Sequence, residues 1–168
     1  ATVEGSWSVA FTPGRGAPAQ AQLPALESWT RSSDEGVRYF SGTGTYDKSI
    51  EVSAGWLKPG RRIVLDLGEV HETAQVWVNG KDAGIAWKPP YRVDVTALVK
   101  PGRNELRIAV ANLWANRIIG DKQPDAKKPI AFSTFDYYWP SLIKLPYAAD
   151  SPLPPAGLLG PVQILAVQ

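Results

Sequence analysis

Apolar and polar residues alternate in short runs along most of this chain, at the two-residue period of strands that bury one face. The run SWSVAF places Trp7, Val9 and Phe11 on one side and ends at Pro13-Gly14. From Thr43 to Val52 the chain sets Thr43, Thr45, Asp47, Ser49 and Glu51 against Gly44, Tyr46, Lys48, Ile50 and Val52, a strand with two unlike faces. Short runs rich in Val and Ile follow at 62–67 (RIVLDL), 74–78 (AQVWV), 81–85 (KDAGI), 91–95 (YRVDV), 104–110 (NELRIAV) and 161–167 (PVQILAV). Asn79-Gly80, between AQVWV and KDAGI, is the sequence of a type I′ hairpin turn, which needs positive φ at both central residues. Residues 14–36 read as a long surface loop in which PALESWT can form one helical turn carrying Leu26 and Trp29 inward.

About eight short strands without an amphipathic helix or an internal repeat predict an all-β fold, an antiparallel β-sandwich of the jelly-roll kind. Strand alternation then gives a geometric result. If Asn79-Gly80 lies at the bottom, the connections GEVHET (68–73) and AWKPP (86–90) lie at the top, and the stretch NLWANRIIGD (112–121) starts there too. Three polar and aromatic loops are thus expected at one end.

Composition narrows the class. A chain of 168 residues reads as one domain over 1–168, able to bury roughly two-thirds of its unfolded surface. Without cysteine it has no disulfide, no thiolate metal site and no cysteine nucleophile. Its 18 basic and 16 acidic residues are scattered, so no nucleic-acid footprint is indicated, and no apolar run approaches the roughly 20 residues of a membrane helix. The start ATVEGSW has no charged and apolar leader and the chain has no methionine, from which we expect a piece of something longer. Seven tryptophans and six tyrosines are many for this length.

Those aromatics raise the question of sugar recognition, which needs a flat ring to stack on a pyranose and planar polar groups for its hydroxyls. Trp87, Trp114 and Trp139 are the loop tryptophans able to supply the ring, and Lys88, Asn116, Arg117 and Asp121 the polar contacts. The same loop has a structural reading, in which Trp114 folds back as a cap, Asn and Arg bond exposed carbonyls, and Arg117 pairs with Asp121. Trp7 and Trp77 read as core or half-buried cross-strand residues. No catalytic residue is assigned. A glycosidase needs two facing carboxylates roughly 5–10 Å apart, and nothing in the sequence makes Glu69, Glu72 and Asp121 converge. The one histidine, His71, has no serine, cysteine or second histidine near it in sequence. The aromatic and proline-rich arm 132–157 (FSTFDYYWPSLIKLPYAADSPLPPAG) is either a binding platform or a surface packed on a neighbouring domain.

The block from about residue 42 to 110, with its LDLG strand, VWVNG hairpin, DVT turn and PGRNELRIAV strand, resembles the sugar-binding-type jelly roll of glycoside hydrolase family 2. The flanks YFSGTGTY, NLWANRIIGD and AGLLGPV resemble more closely the C-terminal ancillary domain of family 106 α-L-rhamnosidases, extending the likeness from Trp29 onward. The resemblance implies a galactose-binding-like jelly roll, noncatalytic and ancillary, in a secreted or periplasmic polysaccharide-degrading enzyme. Its implied partners are a glycan, with rhamnose-containing polysaccharide favoured, and the parent's catalytic domain. A purely structural buttress without glycan binding is the alternative, and a standalone glycosidase the third. No cofactor is expected. The resemblance allows a structural calcium between loops, although no Asp-x-Asp ligand run occurs.

Overall fold

The computed structural model describes residues 1–126, 129–131 and 147–167. Eleven strands form among them, all paired antiparallel. The larger layer has six: β1 (Trp7–Phe11), β2 (Gln20–Leu23), β3 (Thr43–Val52), β6 (Thr73–Val78), β7 (Lys81–Ala86) and β9 (Gly102–Ala111), in the order β2-β1-β3-β9-β6-β7. The opposing layer is built from β4 (Arg62–Asp66), β5 (Glu69–His71), β8 (Arg92–Asp94), β10 (Gly157–Gly160) and β11 (Gln163–Val167), paired as β11-β4-β8 and β10-β5. The antiparallel sandwich expected from the pattern is the observed fold.

The core follows from the period-two pattern. Tyr46, Ile50 and Val52 of β3, Leu106, Ile108 and Val110 of β9, and Ala74, Val76 and Val78 of β6 point inward. They join Ile63, Leu65, Val70, Leu158 and Ile164 of the other layer in one cluster. The center of the sheet is the ten-residue pairing of β3 with β9, from Thr43↔Ala111 to Val52↔Gly102. The opposing layer is two long strands bent in mid-course, β4 into β5 and β10 into β11. At the bend Gly68 (φ 67°) meets Gly160 so closely that a Cβ on Gly68 would lie 2.3 Å from the Gly160 carbonyl carbon.

Between β2 and β3, Trp29 fills one end of the core. Phe11 and Phe40 stand edge-on to it at 5.5 and 5.4 Å between centroids, and its indole N–H donates to the Tyr46 hydroxyl at 2.6 Å. The turn at Asn79-Gly80 has φ of 52° and 75°, as a type I′ turn requires.

Three local expectations are corrected, and a fourth falls largely outside the described residues. The segment 14–36 holds β2, a 3₁₀ turn at Trp29–Arg31 and the start of helix α1 (Glu35–Arg38) rather than a long loop. The connection GEVHET contains β5, which pairs with β10. The arm 132–157 ends in the first residue of β10, and its residues 132–146 lie outside the described residues. The stretch NLWANRIIGD is not a loop throughout, since α2 (Ala115–Asp121) occupies most of it.

Candidate functional site

Strand register fixes which loops share an end. Ala74 pairs with both Ala86 and Val110, and Ala111 pairs with both Thr73 and Thr43. The chain therefore enters β6 and leaves β7 and β9 at one end, opposite Asn79-Gly80. The segment after β1 joins them there, because Thr12 N–H donates to Thr43 O at 3.0 Å.

Two tryptophans project from this end. Trp87, the first residue after β7, is 64 % exposed, and Trp114, at the head of α2, is 46 % exposed. The strands that carry them stand two places apart, roughly 10 Å. Each ring has a cation beside it: Lys88 Nζ is 5.0 Å from the Trp87 ring centroid, and Arg15 Cζ is 4.5 Å from that of Trp114. Trp114 does not fold back into the core. Arg15, unremarked in the sequence, reaches it from the segment after β1, and no local motif could announce that approach.

The polar residues of α2 turn the other way. Asn116 is buried, its Nδ2 donating to Pro154 O at 2.9 Å, while its Oδ1 has no partner among the described residues. Arg117 is also buried: its backbone N–H donates to Ser41 Oγ at 3.1 Å, its Nε donates to Asp121 Oδ1 at 2.8 Å, and its guanidinium lies 5.9 Å from the Tyr39 ring centroid. Asp121 Oδ2 accepts the backbone N–H groups of Ile130 and Ala131 at 2.8 and 2.6 Å. Before the helix, Asn112 accepts from Gly42 N–H and donates to Phe40 O, both at 2.9 Å. The bonds of Arg117 and Asp121 thus join the chain around residues 41, 117 and 130. Trp139, the remaining candidate, lies outside the described residues.

His71, on β5, is a further titratable group at this end. Its Nε2 is 2.7 Å from Glu69 Oε1 and its Nδ1 4.0 Å from Glu72 Oε1. Both glutamates are thus turned to one imidazole, while Asp121 is engaged by Arg117. No group of three or more His, Asp or Glu side chains able to hold a metal ion occurs among the described residues.

With this geometry in view, the family model of the glycosyl hydrolase 2 galactose-binding domain-like group matches residues 28–138. The chain belongs to that family. Among solved structures, this galactose-binding-like domain is similar to a rhamnosidase from Novosphingobium sp. PP1Y, at 44 % identity and a TM-score of 0.86, over 99 % of the domain and 15 % of that chain. A candidate β-glucuronidase of Formosa agariphila is 38 % identical over 95 % of the domain and 15 % of its own length. The β-glucuronidase of Ruminococcus gnavus shares the fold, at 22 % identity and a TM-score of 0.57 over 67 % of the domain. The family match leaves out β1, β2, β10 and β11, whereas the likeness to the rhamnosidase takes in essentially the whole domain. The domain spans about 15 % of the length of these first relatives.

Proposed function

We propose that the chain is a noncatalytic, carbohydrate-binding ancillary domain of a polysaccharide-degrading glycoside hydrolase, acting outside the cytoplasm, and that glycan meets it at the end formed by Trp87 and Trp114. One observation carries this reading: two exposed indoles from different strands share one end of the sandwich, each with a cation next to its ring. A sugar's C–H face stacks on an indole, and a neighbouring ammonium or guanidinium donates to its hydroxyls. Arg117 and Asp121, with Asn116, serve this site from behind by holding α2 in place. Rhamnose-containing glycan is the favoured ligand because of the likeness to a rhamnosidase. A noncatalytic role fits the carboxylates, since Asp121 is committed to Arg117 and Glu69 faces His71.

Calorimetric titration of the chain with a rhamnose-containing oligosaccharide tests the reading. A small exposed site should bind on the order of 10 µM to 1 mM. Trp87→Ala should abolish binding at this end, read from the shift of the Trp114 indole N–H signal, without lowering Tm. A wild-type response of the Trp114 indole in a well-folded Trp87→Ala variant would remove the site from this end.

A second reading has an observation of its own. Leu113 is 61 % exposed beside Trp114, and an aliphatic side chain offers a sugar no stacking face. It suits contact with the parent's catalytic domain, for which this end would be a buttress. Glycan binding by the isolated chain separates the two.

A further inference from the structure

The solvent side of the six-stranded sheet has a construction that the loop-end site does not use. Register lines up Asp47, Arg107 and Trp77 in one row across β3, β9 and β6, and Thr45, Ala109 and Gln75 in the next. The outward face of an antiparallel sheet is ordinarily polar. Here, however, a half-buried indole stands at one side of a floor made of threonine and alanine, leaving an open trough of about 690 Å³. Arg107 is held side-on to its neighbour, with Nε 2.7 Å from Asp47 Oδ1 and Nη2 3.3 Å from Oδ2. That pairing fixes the guanidinium plane and leaves N–H donors beside free carboxylate lone pairs, the donor and acceptor combination that adjacent hydroxyls take.

Charge selects the ligand class. Arg107 is matched by Asp47, and Arg103 lies 3.8 Å from Glu105. Lys48 alternates with Asp47 and Ser49 along β3, so its side chain leaves by the other face, where its ammonium donates to Ser6 O at 2.7 Å and stands 5.4 Å from the ring centroid of the buried Trp7. Each cation that faces the trough is therefore matched by a carboxylate, and none is left over to attract an acidic sugar. The trough crosses three strands, β3, β9 and β6, and follows β9 from Arg103 to Ala109, a length of roughly 20 Å at about 3.4 Å per residue, which suits a chain of sugars rather than one.

We propose that the solvent face of the six-stranded sheet binds an extended neutral oligosaccharide, stacked on Trp77 and held through its hydroxyls by the Asp47 and Arg107 pair. This rests on the reading of the chain as glycan-binding, but it places a second site on a different face, where a polymer can lie along the strands.

The test is an NMR titration of the 168-residue chain with a neutral rhamnose tetrasaccharide, with free rhamnose and with a glucuronate-containing tetrasaccharide, following the indole N–H signals of Trp77 and Trp87. The neutral tetrasaccharide should shift the Trp77 indole and Arg107 Nε signals, and free rhamnose much less. Trp77→Ala should weaken that response about tenfold or more. Ala109→Ile, a strand-compatible change that fills the floor, should do the same with Tm kept, and Trp87→Ala should leave it intact. Shifts confined to Trp87 would overturn this proposal and leave the loop-end reading standing. Wild-type binding by both Trp77→Ala and Ala109→Ile, or tighter binding of the glucuronate sugar at Trp77, would also overturn it. Silence at both indoles with every sugar would overturn the two readings together.

Discussion

Arg117 and Asp121 form an ion pair inside the loop end of the sandwich, Nε to Oδ1 at 2.8 Å, with side chains only 9 % and 10 % exposed. They stand four residues apart on α2, a helix of seven residues that has no side-chain N-cap and does not stand by virtue of its own turn. What fixes it is the pair, the backbone bond from Arg117 to Ser41, and Asn116 reaching Pro154. The costly residues of NLWANRIIGD are thereby accounted for: most of them shape the corner, and Leu113 and Trp114 are left facing solvent.

Replacing Arg117 by Ala would leave Asp121 buried without its counterion, held only by two backbone N–H groups. Breaking a mostly buried pair from one side typically costs about 3–5 kcal/mol. Denaturant melts of Arg117→Ala should show a loss of that order, and Arg117→Lys a smaller one. An unchanged melting curve with lost glycan binding would instead make Arg117 a ligand contact.

Asn104, fully buried on β9, uses both ends of its amide: Nδ2 donates to Lys100 O and Gly102 O, and Oδ1 accepts from Lys100 N–H and Asn79 Nδ2. It ties the type I′ turn to the turn before β9. Asn104→Ala strands several buried groups at once and should cost about 3 kcal/mol or more. Equilibrium unfolding measures it, and a loss below about 1 kcal/mol would mean that water replaces the amide.

How far the sequence could be read depended on how local each signal was. Strand β3, the Asn79-Gly80 hairpin and the shared end of three connections were legible, because period-two alternation and turn chemistry need only neighbours in the chain. Strand β5 was hidden, since three residues are too few to show a period and its partner β10 lies far along the chain. Helix α2 was hidden for another reason: its inward face includes Asn116 and Arg117, which any hydrophobicity pattern counts as outward. The approach of Arg15 to Trp114, and the row formed by Asp47, Arg107 and Trp77, are products of register and cannot be read from any one segment.

The isolated chain is expected to release no chromophore from aryl rhamnosides or galactosides. Hydrolysis needs an acid and a second carboxylate opposed across the glycosidic bond, whereas Asp121 is inside an ion pair and Glu69 lies 2.7 Å from His71 Nε2. Turnover that vanishes in Glu69→Gln, Glu72→Gln or Asp121→Asn would overturn the noncatalytic reading.

Tyr46 gives a pH dependence with a definite sign. Its hydroxyl is buried and accepts both the Trp29 indole N–H at 2.6 Å and the Leu158 backbone N–H at 3.0 Å. Burial pushes its ionisation well above the ordinary tyrosine value of 10.0, outweighing the two donors that favour the anion. The folded chain thus keeps the Tyr46 proton at a pH where the unfolded chain releases it. This contribution is full below pH 10 and is lost as pH rises further, at up to about 1.4 kcal/mol per pH unit. Tyr46→Phe removes the acceptor from two buried donors and should cost roughly 2–4 kcal/mol at neutral pH. Because Tyr46→Phe leaves the other five tyrosines in place, the informative quantity is the stability difference between wild type and Tyr46→Phe. Urea melts should find that difference constant from pH 6 to about 9.5 and shrinking above about pH 10. A difference that stays flat or grows between about pH 10 and 11 would show that Tyr46 ionises in place, and that burial does not hold its proton.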